Sequence, residues 1–171
     1  SAFAVRFNSI NHDVMIGVEN MHMTSNDAAG IKRRFGYTPE ECVLFMQMLG
    51  ERWRHKVGIN FDIGHARNNA PYSQKYQIST WFSMLGEHII GYHMHQVINY
   101  NGKFENHMPI TQIYGSLISL TSFFKCWETQ RINKAPIIFE MRPKDAYAQT
   151  LKTFEEYYGA KEILSEDKTT L

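Results

Sequence analysis

Val57-Gly58-Ile59-Asn60-Phe61-Asp62 is a run of β-type residues that ends on a carboxylate and gives way to the polar loop Gly64-His65-Ala66-Arg67-Asn68-Asn69. Helical spacing follows from Ser73 to Gly86, so the stretch reads as one βα unit. The same order stands on either side of it. Upstream, Val14-Met15-Ile16-Gly17-Val18-Glu19 is a predicted strand, introduced by the turn-like Asn11-His12-Asp13 and followed by a loop through Gly30 and Gly36. Its helix begins at Thr38-Pro39-Glu40-Glu41: Thr38 is the N-cap, Pro39 takes the first helical position and Glu41 completes a capping box. Val43, Phe45, Met46 and Leu49 supply the apolar face up to Gly50. Downstream, Ile89-Ile90-Gly91-Tyr92-His93-Met94-His95 is the third strand, followed by an irregular stretch from Asn99 to Tyr114 and a helix from Leu117 to Gln130. Pro136-Ile137-Ile138-Phe139-Glu140 is the fourth strand. It leads into a last helix with Ala146, Leu151, Phe154 and Tyr157, ended by Gly159, and residues 165–171 are expected to fray. Strands alternating with helices call for parallel pairing through crossovers, an α/β fold of four consecutive βα units in one domain over 1–171.

Composition bounds the rest. The 171 residues are 43% hydrophobic and 13% aromatic, enough for one sizeable core. Lys and Arg number 18 against 17 Asp and Glu, so no basic field argues for nucleic acid. The two cysteines, Cys42 and Cys126, form no C-x-x-C pattern, and the first residues carry no secretory signal, which makes a reducing cytoplasm the expected location. No apolar run approaches the roughly 20 residues that span a bilayer.

The ionisable residues fall in one place. Glu19, Asp62, the pair His93 and His95, and Glu140 each stand at the C-terminal end of a predicted strand, where parallel α/β proteins bind their ligands. Three carboxylates and an imidazole suit Mn²⁺, Mg²⁺, Co²⁺ or Fe²⁺ and tolerate Zn²⁺. Without a cation, converging carboxylates repel and one must take up a proton. The competing reading is a rim of salt bridges to Lys56, Arg67 or Arg142.

The motifs resemble those of the xylose-isomerase-like barrels, which include sugar phosphate isomerases, ketose epimerases and endonuclease IV. Val18-Glu19-Asn20 resembles the family's hydrophobic-Glu-Asn strand end, and Asn60-Phe61-Asp62-Ile63-Gly64-His65-Ala66 its Asp-x-x-His strand. His93-Met94-His95-Gln96 is similar to His-Leu-His-Asp with Gln96 in place of the acid. Glu105-Asn106-His107-Met108-Pro109-Ile110 is similar to Asp-x-His-x-Pro with Glu105 in place of Asp, and Ile137-Ile138-Phe139-Glu140 to the last strand. The resemblance covers Val14 to about Tyr158 but matches only strands five to eight, a half-barrel, since a complete barrel takes about 250 residues.

What the resemblance implies is a single divalent metal ion (Mn, Mg, Co, Fe or Zn) on Glu19, Asp62, His93 and Glu140, with His95 the competing imidazole. It further implies Glu19 and Glu140 as the catalytic pair that moves a proton, and His65, His95, His107 and Arg142 as contacts to a sugar or sugar phosphate. The activity it implies is isomerisation or epimerisation of a hydroxy-carbonyl sugar through an enediolate. Endonuclease IV-like nuclease activity is the lesser expectation, because the ligands it draws from the first half of the barrel have no counterpart. Four strands also leave two open sheet edges, each a row of unpaired backbone groups. Either a homodimer or a missing N-terminal half-barrel closes them, and a binding-only or inactive piece of a longer enzyme is the remaining alternative.

Overall fold

The computed structural model describes residues 14–23, 35–67, 72–100, 103–111, 120–129 and 131–166. The elements in chain order are β1 (Ile16–Glu19), α1 (Pro39–Met48), α2 (Glu51–Arg54), β2 (Val57–Asp62), α3 (Ile63–Arg67), α4 (Tyr72–Lys75), α5 (Ile78–Leu85), β3 (Ile89–Met94), β4 (Gln96–Tyr100), β5 (Lys103–Met108), α6 (Thr121–Glu128), β6 (Ile137–Phe139) and α7 (Ala146–Glu166). Strands β1, β2, β3 and β6 pair in that order, all parallel. This is the expected sheet of βα units, part of a TIM barrel.

Strand alternation gives the sheet two different faces. Ile59 and Phe61 point to the helices, where Phe61 meets Trp81 at 5.5 Å and Phe82 at 5.3 Å between ring centroids. Tyr92 meets Phe123 at 5.2 Å, and Trp81, Leu85 and Cys42 are fully buried in the same layer. Aromatic residues bury about 150–250 Å² each, so this layer carries most of the driving force for the fold. The opposite face takes small and polar groups. Asn60 sits between Gly17 and Gly91, and a Cβ on either glycine would come within 3.0 Å of its side chain.

The N-terminus of α1 forms as its sequence predicts. Thr38 is extended and its hydroxyl accepts from the Glu41 N–H at 3.3 Å, while the Glu41 carboxylate reaches back to the Tyr37 N–H at 2.9 Å.

Several expectations are corrected. The loop after β2 is instead the helical turn α3, because Asp62 caps it: Oδ1 accepts the His65 N–H at 2.7 Å. Asn68 and Asn69 lie outside the described residues, as do Gly30, the turn at 11–13, positions 117–119 and 130 of the expected third helix, and 167–171 of the expected tail. The helix expected from Ser73 to Gly86 is broken into α4 and α5 at Tyr76 and Gln77. There Tyr76 turns inward, 5% exposed, with its hydroxyl on Glu40 at 2.8 Å. The stretch expected to be irregular from Asn99 is an antiparallel hairpin of β4 and β5, with Tyr100 paired to Lys103. Gly159 does not end α7, which continues to Glu166. Leu151 is exposed, and the buried line on α7 runs through Ala146 and Thr150 to Phe154, whose ring lies 5.4 Å from that of Phe124. Among the described residues no helix is long and apolar enough to cross a membrane.

Candidate metal centre

A flat sheet would set β1 and β6 about 14 Å apart, three strand spacings of about 4.8 Å. Ligand atoms of Glu19, Asp62, His93 and Glu140 nonetheless lie within 4.8 Å of one another. The long Glu19 and Glu140 side chains reach inward from the two edges of the sheet toward Asp62 and His93, which register puts side by side on β2 and β3. The His93 Nδ1 faces the carboxylates, 3.1 Å from Glu140 Oε2, 3.5 Å from Glu19 Oε2 and 3.9 Å from Asp62 Oδ2.

Asp62 is fully buried and its two oxygens differ. Oδ1 accepts the His65 N–H at 2.7 Å and lies 3.1 Å from His95 Nε2. Among the described residues Oδ2 is buried without a hydrogen-bond partner, and so is His93 Nδ1. Two adjacent orphan donor atoms would each cost free energy in a finished protein interior. A divalent cation takes both, together with the two glutamates, so the residues present fit such an ion. Burial by itself would raise the Asp62 pKa. The His95 hydrogen bond, the electrostatic pull of the His95 and His65 rings, and the His65 N–H outweigh it and hold the carboxyl below its ordinary value.

Asn20 clamps this arrangement, a role that its place in the strand-end motif did not disclose. Fully buried, it accepts the Asp62 N–H at 2.7 Å and donates to the Asp62 carbonyl at 3.0 Å, a side chain doing the work of a strand neighbour. Gly36 backs it with φ +85°, which favours glycine, and a Cβ there would be tight, 3.2 Å from the Asn20 Cα.

The remaining candidates lie around this group. His65 Nδ1 is 2.9 Å from Glu19 Oε1 and 3.0 Å from the Asn20 carbonyl. Burial works against its charge, but the Glu19 hydrogen bond and the charges of Asp62 and Glu19 raise its pKa. His95 is buried behind Asp62, and its ring stacks on that of His107 at 4.4 Å and 17°. His107 has φ 61°, a conformation that costs an ordinary residue on the order of 1–3 kcal/mol. Its N–H bonds to His95 and its carbonyl accepts the Arg142 N–H at 2.9 Å, which hold it there. Burial, the neighbouring His95 ring and the Arg142 guanidinium lower the His107 pKa against the pull of Glu140. The Arg142 side chain is exposed at the rim.

One of the two departures from the motifs has a structural use. Gln96 accepts from the Thr111 N–H at 2.9 Å and ties the hairpin down, while Glu105 is exposed on β5. His22 lies beside the site with its ring 4.8 Å from that of His65.

The comparisons agree with this fold. A D-tagatose 3-epimerase-like protein is similar at 22% identity and a TM-score of 0.59, over 97% of this chain and 54% of its own. A protein from Rhodospirillum rubrum assigned as a xylose isomerase is similar at 18% identity and a TM-score of 0.62, over 89% of this chain and 48% of its own. At these identities the likeness concerns the fold, and the chain spans about half the length of the structures that it matches. No curated protein matches it significantly. The profile of the family described as xylose isomerase-like TIM barrel matches residues 8–157, nearly the whole chain, and the chain belongs to that family.

Proposed function

We propose that this chain carries the metal-holding half of a sugar isomerase or epimerase acting on a hydroxy-carbonyl sugar or sugar phosphate. The observation that carries the reading is the meeting of Glu19, Asp62, His93 and Glu140 from four strand ends, with Asp62 Oδ2 and His93 Nδ1 buried and unbonded. A divalent cation held there supplies Lewis-acid polarisation of the adjacent hydroxyl and carbonyl oxygens. Glu19 and Glu140 stand on opposite edges of the sheet and are 28% and 47% exposed, so each is open to substrate. One removes the proton from the carbon beside the carbonyl, giving an enediolate, and the other returns it. His65 holds Glu19 in place, and Arg142 at the rim offers its guanidinium to a phosphate or to sugar hydroxyls. The other half of the pocket wall comes from a second copy or from a further half-barrel on the same polypeptide.

Metal analysis of the purified protein alongside its mass in solution tests this. The expected result is one bound divalent ion, lost in Asp62→Ala, with deuterium exchange at a ketose carbon that Glu140→Gln abolishes. For the chain alone, closure by a second copy gives about 40 kDa, twice its 20.0 kDa. Absence of metal from the wild type, or unchanged exchange in Glu140→Gln, would overturn the assignment.

A further inference from the structure

The imidazoles of His65, His95 and His107 also place nitrogens within 4.8 Å of one another, a group that invites a second cation. The surroundings of His95 give it another task. Its Nδ1 lies 3.1 Å from the backbone N–H of His107, which can only donate, so Nδ1 carries a lone pair. Its Nε2 lies 3.1 Å from Asp62 Oδ1, a carboxylate that can only accept, so Nε2 carries the proton. One neutral tautomer satisfies both contacts and leaves no ring nitrogen for a metal or a substrate. The ring is also 0% exposed.

Its place is built on both sides. One face stacks on His107, whose positive φ accompanies the delivery of its N–H to Nδ1. The other face lies against Gly64, where a Cβ would come 1.9 Å from His95 Cε1 and 2.3 Å from Nε2. Nothing but glycine at position 64 admits the ring.

From this we infer that His95 is a positioning residue. It runs a hydrogen-bonded line from the His107 backbone to Asp62 Oδ1, which fixes the carboxylate so that Oδ2 alone is presented to a cation, and Gly64 is the gap that makes the line possible. The inference rests on the metal reading above for its purpose, though not for its geometry. It separates the two histidines of His93-Met94-His95: the first presents a nitrogen to the ion, the second orients another ligand. Hydrogen-bonded partners of ligating carboxylates typically matter 10- to 100-fold for metal affinity.

Long-range ¹H–¹⁵N NMR of the metal-free protein reads the His95 tautomer directly. A neutral ring protonated on Nε2 is expected, and a ring protonated on Nδ1 overturns the inference. Addition of Zn²⁺ is expected to shift the ring nitrogens of His93 and leave His95 as it was, whereas a ligation shift at His95 makes it part of a second cation site and overturns the inference. Absence of any Zn²⁺ shift removes the metal reading, and the tautomer still decides the hydrogen-bonded line. His95→Leu should weaken Mn²⁺ binding about 10- to 100-fold, while His95→Gln, whose amide can still donate to Asp62, restores most of it. A double-mutant cycle guards against simple misfolding. Gly64→Ala should cost as much as His95→Leu in the wild type but under about twofold in a His95→Ala background, where the ring it displaces is gone. Additive losses would show that the two positions act independently.

Discussion

Asp62 commits Oδ1 to the His65 N–H and to His95, and keeps Oδ2 buried without a hydrogen-bond partner among the described residues. Its folded pKa lies below the ordinary carboxyl value, with burial opposing the shift and His95 first among the groups that impose it. A depressed carboxyl contributes stability that is present above its unfolded pKa, about 3.9, and is lost as the pH falls through the lower folded value. Urea unfolding of the metal-free protein between pH 2 and 5 should therefore show stability falling toward the acid end, with a flatter profile in Asp62→Asn. An identical slope in the variant would mean that other carboxyls govern the acid limb. His65 has the opposite sign: its raised pKa gives stability that is complete below about 6.5 and lost as the pH rises through the folded value. His107, whose pKa is lowered, acts on the other side of that value: its contribution is present above about 6.5 and is lost as the pH falls through its folded value.

Among the elements, α1 owes its start to local chemistry, and Thr38→Ala should cost about 1 kcal/mol in a denaturant melt by leaving the Glu41 N–H unbonded. That cap was legible in the sequence because it depends on residues three apart, and β2 was legible to the residue because both its faces are patterned. That Glu19, Asp62, His93 and Glu140 would gather at one end of the sheet was legible for a related reason, since strand period and strand termini are local properties that fix which end of a parallel sheet each residue reaches. What failed was what depends on distant partners. The break between α4 and α5 exists because Tyr76 finds Glu40 across the sequence, and α3 forms because Asp62 doubles as cap and candidate ligand. In the hairpin, Asn101-Gly102 is a strong turn signal in the sequence, but the strands around it mix polar and apolar residues and hide their alternation. Position 159 shows the limit of reading glycine as a stop: with no steric demand there, the helix runs through it at a modest entropic cost. Asn20 was quoted as part of a motif without a function, because a clamp between two strand ends is visible only when both ends are in place.

At the scale of the whole molecule, the sheet has β1 and β6 at its edges, each with one strand partner among the described residues, and Ile138 on β6 is 52% exposed. The parallel sheet of βα units, and the end of it at which the ionisable residues gather, were foreseeable from four repeated units, whereas the meeting of Glu19 and Glu140 from opposite edges is a property of the sheet rather than of any segment. The helical layer behind that sheet contains its own reporter. Burial pushes the Cys42 thiol up to about 12, whereas Cys126 is only half-buried and its thiol is raised as well. At pH 8 about one Cys42 in ten thousand would be thiolate even if a reagent could reach it. Alkylation of the native protein should mark Cys126 first and Cys42 only when α1 lifts from the sheet; rapid marking of Cys42 would mean that this layer is looser than its packing implies. The two thiols give the molecule a built-in clock, in which the lag between one label and the next counts how seldom the helices part from the strands that aim the ligands.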